Sequence, residues 1–170
     1  MSVEITTGKI KDLREQSGAG IMACRNVLLE AEGDIEKALA ILRERSLVLV
    51  QKKADRTATQ GIIEAYIHTG SHIGAMLELN CETDFVARTK EFKELAHHLA
   101  MQVAALGPQF ISEKEIPESN DEIEPEKACL LLQPDIREPD KTVQDVINET
   151  IARTGENIKV SRFARFELGS

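Results

Sequence analysis

The sequence predicts an α+β fold: an N-terminal three-helix module followed by a small antiparallel sheet backed by helices. Three observations carry this expectation. Over the first fifty residues, short segments with helical apolar spacing are separated by Gly and Asp; two alternating runs then flank Gly70-Ser71; and one long apolar face runs from Phe92 to Leu106. A chain of 170 residues fits one or two domains. The composition change near residue 55 divides it into a helical module with its connector, 1–55, and an α+β core, 56–170.

In the module, Thr6 or Thr7 can cap a first helix that presents Ile10 and Leu13 and ends near Gly18. A second helix carries Met22, Val27 and Leu28 and stops at Gly33, and Asp34 caps a third. There Ile35, Ala38, Leu39 and Leu42 fall at i, i+3, i+4 and i+7. Each helix is too short to persist alone, so the three must share a core. Leu47-Val48-Leu49-Val50, followed by Lys52, Lys53 and Arg56, reads as a connector whose first part can be helical.

In the core, Ile63, Ala65 and Ile67 alternate with polar neighbours, as do Ile73, Ala75, Leu77, Leu79 and Cys81, and Gly70-Ser71 supplies a hairpin turn. Phe92, Leu95, Ala96, Leu99, Val103 and Leu106 trace one face of a helix that Thr89 can start and Gly107-Pro108 must end. Ser112 and Glu115 have capping-box spacing, but from about 112 to 140 the chain is acidic and interrupted by Pro117, Pro125, Pro134 and Pro139, and its structure is left open. A last helix with Val143, Val146, Ile147 and Ile151 ends at Gly155. The alternation of Ile158, Val160, Ala164, Phe166 and Leu168 then predicts a strand that joins the hairpin.

Composition narrows the function classes. A formal charge of −8 argues against general nucleic-acid affinity, which depends on cations displacing phosphate counterions, and favours a protein partner. No apolar run is long enough to span a membrane, and Met1-Ser2-Val3-Glu4 does not open a secretory leader, so a cytoplasmic location is expected. Cys24, Cys81 and Cys129 are odd in number and widely spaced, which fits free thiols in a reducing compartment. His68, His72, His97 and His98 share no spacing that implies a ligand set; solvated or partly packed roles are expected. The acidic residues between Glu113 and Glu126 read as a solvated surface.

Two segments invite more than a structural reading. Gly18-Ala19-Gly20-Ile21-Met22 suits a tight helix connection, yet Ile21 and Met22 at a helix start could also present an adaptable apolar contact. In Glu82-Thr83-Asp84-Phe85-Val86-Ala87-Arg88, Thr83 or Asp84 can serve as an N-cap and Phe85 as a core residue, or Phe85 can project outward. Asn80 through Ala87 resembles the signature of the elongation factor Ts family, and Leu13-Arg14-Glu15 through Gly18-Ala19-Gly20-Ile21-Met22 resembles its N-terminal signature. Gly155-Glu156-Asn157-Ile158 and Arg162 through Glu167 are similar to the close of its core. The resemblance covers nearly the whole chain, in order.

What the resemblance implies is a ubiquitin-associated-like helical module and an α+β core that together clasp the GTPase elongation factor Tu and promote GDP release. It implies no enzyme chemistry, no catalytic residue, no metal and no cofactor of the chain's own. It assigns partner binding and nucleotide release to Gly18, Ala19, Gly20, Ile21, Met22, Thr83, Asp84, Phe85 and Val86. The segment matching Asp84-Phe85 would reach the magnesium and nucleotide site of the GTPase, while the stretch from Gly18 to Met22 would dock on its nucleotide-binding domain. Only one of the two related core halves of long members fits between Gly61 and Gly169, and the stretch from about 112 to 140 is shorter than in other single-half members. A homodimer, or a two-plus-two complex with the GTPase, would supply a second half. The rival readings are a small metal-dependent hydrolase using His68, His72 and Glu78 or Glu82, and an adaptor whose helical module recognises ubiquitin-like or peptide ligands.

Overall fold

The computed structural model describes residues 5–118 and 122–170; Met1–Glu4, on which the leader reading rests, and Asp121 of the acidic stretch lie outside the described residues. The module consists of α1 (Thr7–Ser17), α2 (Ile21–Glu30) and α3 (Ile35–Lys53). Thr6 caps α1 by accepting the Lys9 N–H, and Asp34 caps α3 by accepting the Lys37 N–H at 3.0 Å. Gly18 closes α1 at φ 66°, a left-handed conformation that glycine adopts without a Cβ penalty, and its N–H bonds the Arg14 carbonyl at 2.8 Å. Leu13, Cys24, Val27, Leu28, Ala31, Ala38 and Leu42 form the module's own core.

The connector residues Leu47 to Lys53 continue α3, because Leu, Val, Gln and Lys offer neither Gly nor Pro to stop a helix already under way. Leu47, Val48 and Leu49 remain exposed, while Val50 packs against the second core. One helix therefore belongs to both cores, its first half closing the module and its last turns lying on α7 (Val143–Thr154).

The sheet is antiparallel in the order β1 (Gln60–Ile67), β2 (Ile73–Cys81), β3 (Lys159–Glu167), with β2 central. Its inner face carries Ile62 and Tyr66 of β1 and the buried Ala75, Leu77, Leu79 and Cys81 of β2. The apolar residues that reveal β1 in the sequence point the other way: Ile63, Ala65 and Ile67 sit opposite Glu78, Met76 and Gly74 on the outer face. Alternation locates a strand without saying which of its faces is covered.

β3 is more complex. A bulge at Glu78/Leu79 pairs Leu79 with Val160 and Glu78 with Arg162, leaving Ser161 as the extra residue. The phase of β3 changes there, so Val160 and Phe163 both pack inward while Ala164 and Phe166 share the outer face with Ile63 and Met76.

Against the inner face lie the single turn α4 (Asp84–Ala87) and the long α5 (Lys90–Leu106), which Thr89 caps through the Phe92 N–H at 3.2 Å and Gly107 ends. Phe92, Leu99, Ala100 and Val103 of α5 are fully buried. Among its described residues the proline-interrupted stretch forms short turns and α6 (Pro125–Ala128), and buried polar contacts hold it to α5. His98 bonds Asp135 at 2.5 Å, and Gln102 donates to the Gln133 side chain at 3.2 Å and the Pro134 carbonyl at 3.1 Å. Thr142 and Asp145 form a capping box at the start of α7.

Candidate functional site

The α1–α2 turn displays its apolar residues to solvent. Ala19 is half-buried against the module core, and its N–H is held by the Ser17 hydroxyl at 3.2 Å. Gly20 starts α2 without a side-chain cap, and Ile21 and Met22 follow it on the first helical turn, 55% and 64% exposed. Cys24, Val27 and Leu28 hold the rest of α2 in the core, so the exposed pair stands on an anchored base. Gly18 sits close to Arg153 of α7: a methyl group in place of its hydrogen would come within 3.1 Å of the Arg153 Cδ and Nε. Arg153 in turn pairs with Glu91 in the first turn of α5 at 3.1 Å. This chain of contacts links the α1–α2 turn to the helix that immediately follows α4.

The Glu82–Arg88 segment divides its residues between two directions. Thr83 is the N-cap of α4, its Oγ1 accepting the Val86 N–H at 3.4 Å. Val86 packs against the core and Ala87 is buried, so these two residues pin the turn down. Asp84 and Phe85 face away, and Phe85 is 80% exposed, the most exposed of the large apolar side chains among the described residues. The Asp84 carboxylate is paired with Arg88 one turn on, at 2.8 Å. An aromatic ring left almost wholly in water gives up the burial its apolar area would otherwise contribute to folding.

Beneath this turn the Gly155–Asn157 motif meets the Asn80–Ala87 motif, a junction not predicted from the sequence. The Glu156 carboxylate accepts the N–H groups of Glu82 and Thr83 at 3.1 and 3.0 Å and the Thr83 hydroxyl at 2.6 Å. Glu82 returns the contact by accepting the Asn157 N–H at 2.7 Å. The Asn157 amide reaches the carbonyls of Ala54 and Arg56 just beyond α3, and Lys53 donates to the Gly155 carbonyl. The available signal was the pair of polar residues Glu156-Asn157 set between a helix-ending glycine and a strand. Burial raises the Cys81 thiol to about 11, assisted by the negative charge of Glu156, and its Sγ–H donates to the Thr83 carbonyl at 3.1 Å.

The candidate metal-binding side chains are dispersed. His68 bonds the Tyr66 hydroxyl, His97 bonds Glu64, and His98 bonds Asp135. Glu78 is engaged by Arg162 and Asn80, which hold its carboxyl below the usual carboxylate range. It lies five residues along β2 from Ile73, about 17 Å of extended chain beyond the hairpin end that carries His68 and His72. Glu82 is farther still and occupied with Asn157 and Arg56. The geometry does not bring these four groups together at one ion, as the hydrolase reading would need.

A family model described as Elongation factor TS matches residues 12–134. The chain is 46% identical to an elongation factor Ts of Caldanaerobacter subterraneus subsp. tengcongensis, with 97% of each chain covered. It belongs to the elongation factor Ts family. An elongation factor Ts of Thermotoga neapolitana is 46% identical, with 98% of each chain covered, and one of Carboxydothermus hydrogenoformans is 45% identical, with 97% of this chain and 89% of the relative covered. The first alignment runs over 194 positions against 170 residues here, so at least 24 of its positions have no counterpart in this chain. Membership makes the chain a translation elongation factor, and the α+β architecture with its N-terminal helical module is consistent with the family. Among the described residues no helix is long and apolar enough to cross a membrane.

Proposed function

We propose that this elongation factor Ts relative binds the GTPase elongation factor Tu in its GDP-bound form and speeds nucleotide release by favouring the nucleotide-free state. The observation that carries the reading is Phe85, a nearly free aromatic ring beside Asp84 on a turn whose other residues are anchored. No nucleophile, metal or cofactor of the chain's own is required. If the factor binds the empty GTPase more tightly than the GDP-bound one, reciprocity requires that it weaken GDP by the same ratio. Each ~1.4 kcal/mol of that difference is about tenfold in affinity.

Ile21 and Met22, with the turn from Gly18 to Gly20, dock on the nucleotide-binding domain. Phe85 enters as an apolar wedge near the phosphates while Asp84 disturbs the magnesium shell, and Thr83 and Val86 hold the turn that carries them. The chain acts in the cytoplasm, on a protein partner and without direct nucleic-acid contact, as its charge of −8 favours. It works as a homodimer or in a two-plus-two complex with the GTPase. Ile63, Ile67, Met76, Phe166 and Leu168 support this, because they leave a large apolar area exposed on the outer face of the sheet and its end. Soluble monomers rarely leave such a patch uncovered, and two-fold pairing would close it.

Stopped-flow release of a fluorescent GDP analogue from elongation factor Tu tests the exchange reading. Release should accelerate with rising concentration of this chain and reach a plateau. A rate independent of its concentration would overturn the proposal.

A further inference from the structure

We infer that Glu156 is a positioning residue for nucleotide release, orienting the Asp84–Phe85 turn from the far end of the chain; this rests on the exchange reading above. α4 comprises only Asp84–Ala87, a single turn that cannot hold its own shape, because helix nucleation is unfavourable without outside support. Some of that support is local: Val86 packs against the core and Ala87 is buried. Cys81, Arg88 and Thr89 add polar contacts from the neighbouring chain, and a further set comes from the Gly155–Asn157 turn, more than seventy residues away in sequence.

The connection runs through one hydroxyl. Thr83 Oγ1 donates to Glu156 Oε1 at 2.6 Å and accepts the Val86 N–H at 3.4 Å. With the hydroxyl hydrogen directed at Glu156, the lone pairs of the same oxygen are turned toward the first turn of α4, so the cap and the anchor share one atom. The second carboxylate oxygen accepts the N–H groups of Glu82 and Thr83, fixing the backbone that enters the turn. Bonds to an ionised acceptor are stronger than neutral ones, and Glu82 and Asn157 reciprocate with a crossed bond of 2.7 Å. The Asn157 amide extends the junction to Ala54 and Arg56, so the same turn also meets the end of the helix that arrives from the docking module.

A wedge that is ordered before contact loses little conformational freedom on binding, whereas one that swings must be ordered by the partner. Glu156 itself is half-buried beneath the turn and its carboxylate is taken up by Glu82 and Thr83, so its effect runs through the turn that carries Asp84 and Phe85.

The experiment compares wild type, Glu156→Gln, Phe85→Ala and the double variant, all as the full chain. It uses stopped-flow GDP release at saturating factor together with amide hydrogen exchange of residues 83–87 in the free protein. Glu156→Gln should slow the plateau release rate roughly ten- to a hundredfold, as misplacement of a catalytic contact does, and change the half-saturating concentration much less. Its amides at 83–87 should exchange faster while those of α5 do not. In the double variant the combined slowing should fall well short of the product of the two single effects, because residues acting through one another are not additive. If Glu156→Gln fails to fold, Thr83→Val serves in its place: it should reproduce the slow release, and Thr83→Ser should restore it.

Unchanged plateau release in well-folded Glu156→Gln, or fully additive losses in the double variant, would overturn the inference while leaving the exchange reading intact. Failure of wild type to accelerate release would instead remove that reading. The hydrogen-exchange arm then still decides whether Glu156 orders the turn, with unchanged protection at 83–87 counting against it.

Discussion

Replacing Phe85 by Ala separates a wedge from a core residue, and the structure sets the size of both expected effects. An aromatic side chain buries ~200 Å² when enclosed, so a ring with one fifth of its surface covered buries about 40 Å², worth about 1 kcal/mol at 25 cal/mol per Å². For a chain of this length, 1 kcal/mol moves the melting temperature by about 2 to 4 °C. Phe92, fully buried in α5, provides the internal contrast: Phe92→Ala should cost about 3 to 5 kcal/mol through the cavity it leaves. If the Phe85 ring is desolvated in the partner, its loss should cost about 2 to 4 kcal/mol of binding to the nucleotide-free GTPase, which slows release by roughly thirty- to a thousandfold. Thermal unfolding and stopped-flow release of a fluorescent GDP analogue, run on the same preparation, read both quantities. Unchanged release by Phe85→Ala whose melting temperature falls by no more than those few degrees would refute the wedge.

Deleting residues 1–45 should leave a folded core with much weaker exchange, whereas deleting 1–55 also removes Val50 and the Lys53 bond to Gly155 and should lower the core's melting temperature further; circular dichroism and release rates check both. Phe166→Glu should shift light scattering from dimer to monomer, because it places a charge in the outer sheet patch; a wild-type monomer at every concentration, with and without the GTPase, would refute the assembly. Cys24, Cys81 and Cys129 should resist a thiol reagent at pH 8 in the native protein and all react after denaturation. Because Cys81 titrates at about 11 when folded against an ordinary value of 9, its contribution to stability should be intact below pH 9 and lost as pH rises toward 11, which unfolding midpoints between pH 8 and 11 would show.

The elements themselves were legible wherever local chemistry decides them. Thr6, Gly18, Asp34, Thr89, Gly107 and Gly155 all stand at helix ends where capping and left-handed glycine predict them. The faces of the sheet were not legible, because Ile63, Ala65 and Ile67 are as apolar as Leu77 and Leu79 and only tertiary packing decides which set is covered. The bulge at Ser161 is invisible to a period-two reading for a related reason: the apolar residues on either side of it alternate correctly, but against different faces. Beyond the capping-box spacing of Ser112 and Glu115, the proline-rich stretch up to residue 140 was not legible, since its order comes from buried partners on α5, His98 and Gln102, whose polarity gives no sign of burial in the sequence.

The site shows the same division between local and distant causes. The N-cap at Thr83 follows from its position before α4, but the outward direction of Phe85 does not, because burying an aromatic ring is the more favourable default. What denies Phe85 that default is an arrangement in which Val86 and Ala87 take the inward positions of a four-residue turn and the turn's entry is tied to Glu156. Once those positions are filled, helical geometry leaves the residue before Val86 on the solvent side. The α1–α2 turn follows the same logic, since Cys24, Val27 and Leu28 occupy the inward positions of α2 and leave Met22 outside. Each exposed apolar residue is thus a consequence of well-filled neighbours, and Arg153, lying against Gly18 while pairing with Glu91, ties the two anchored turns to one another. Under the proposed function, which has both apolar contacts meet one partner at once, exchange depends on that separation as much as on either side chain.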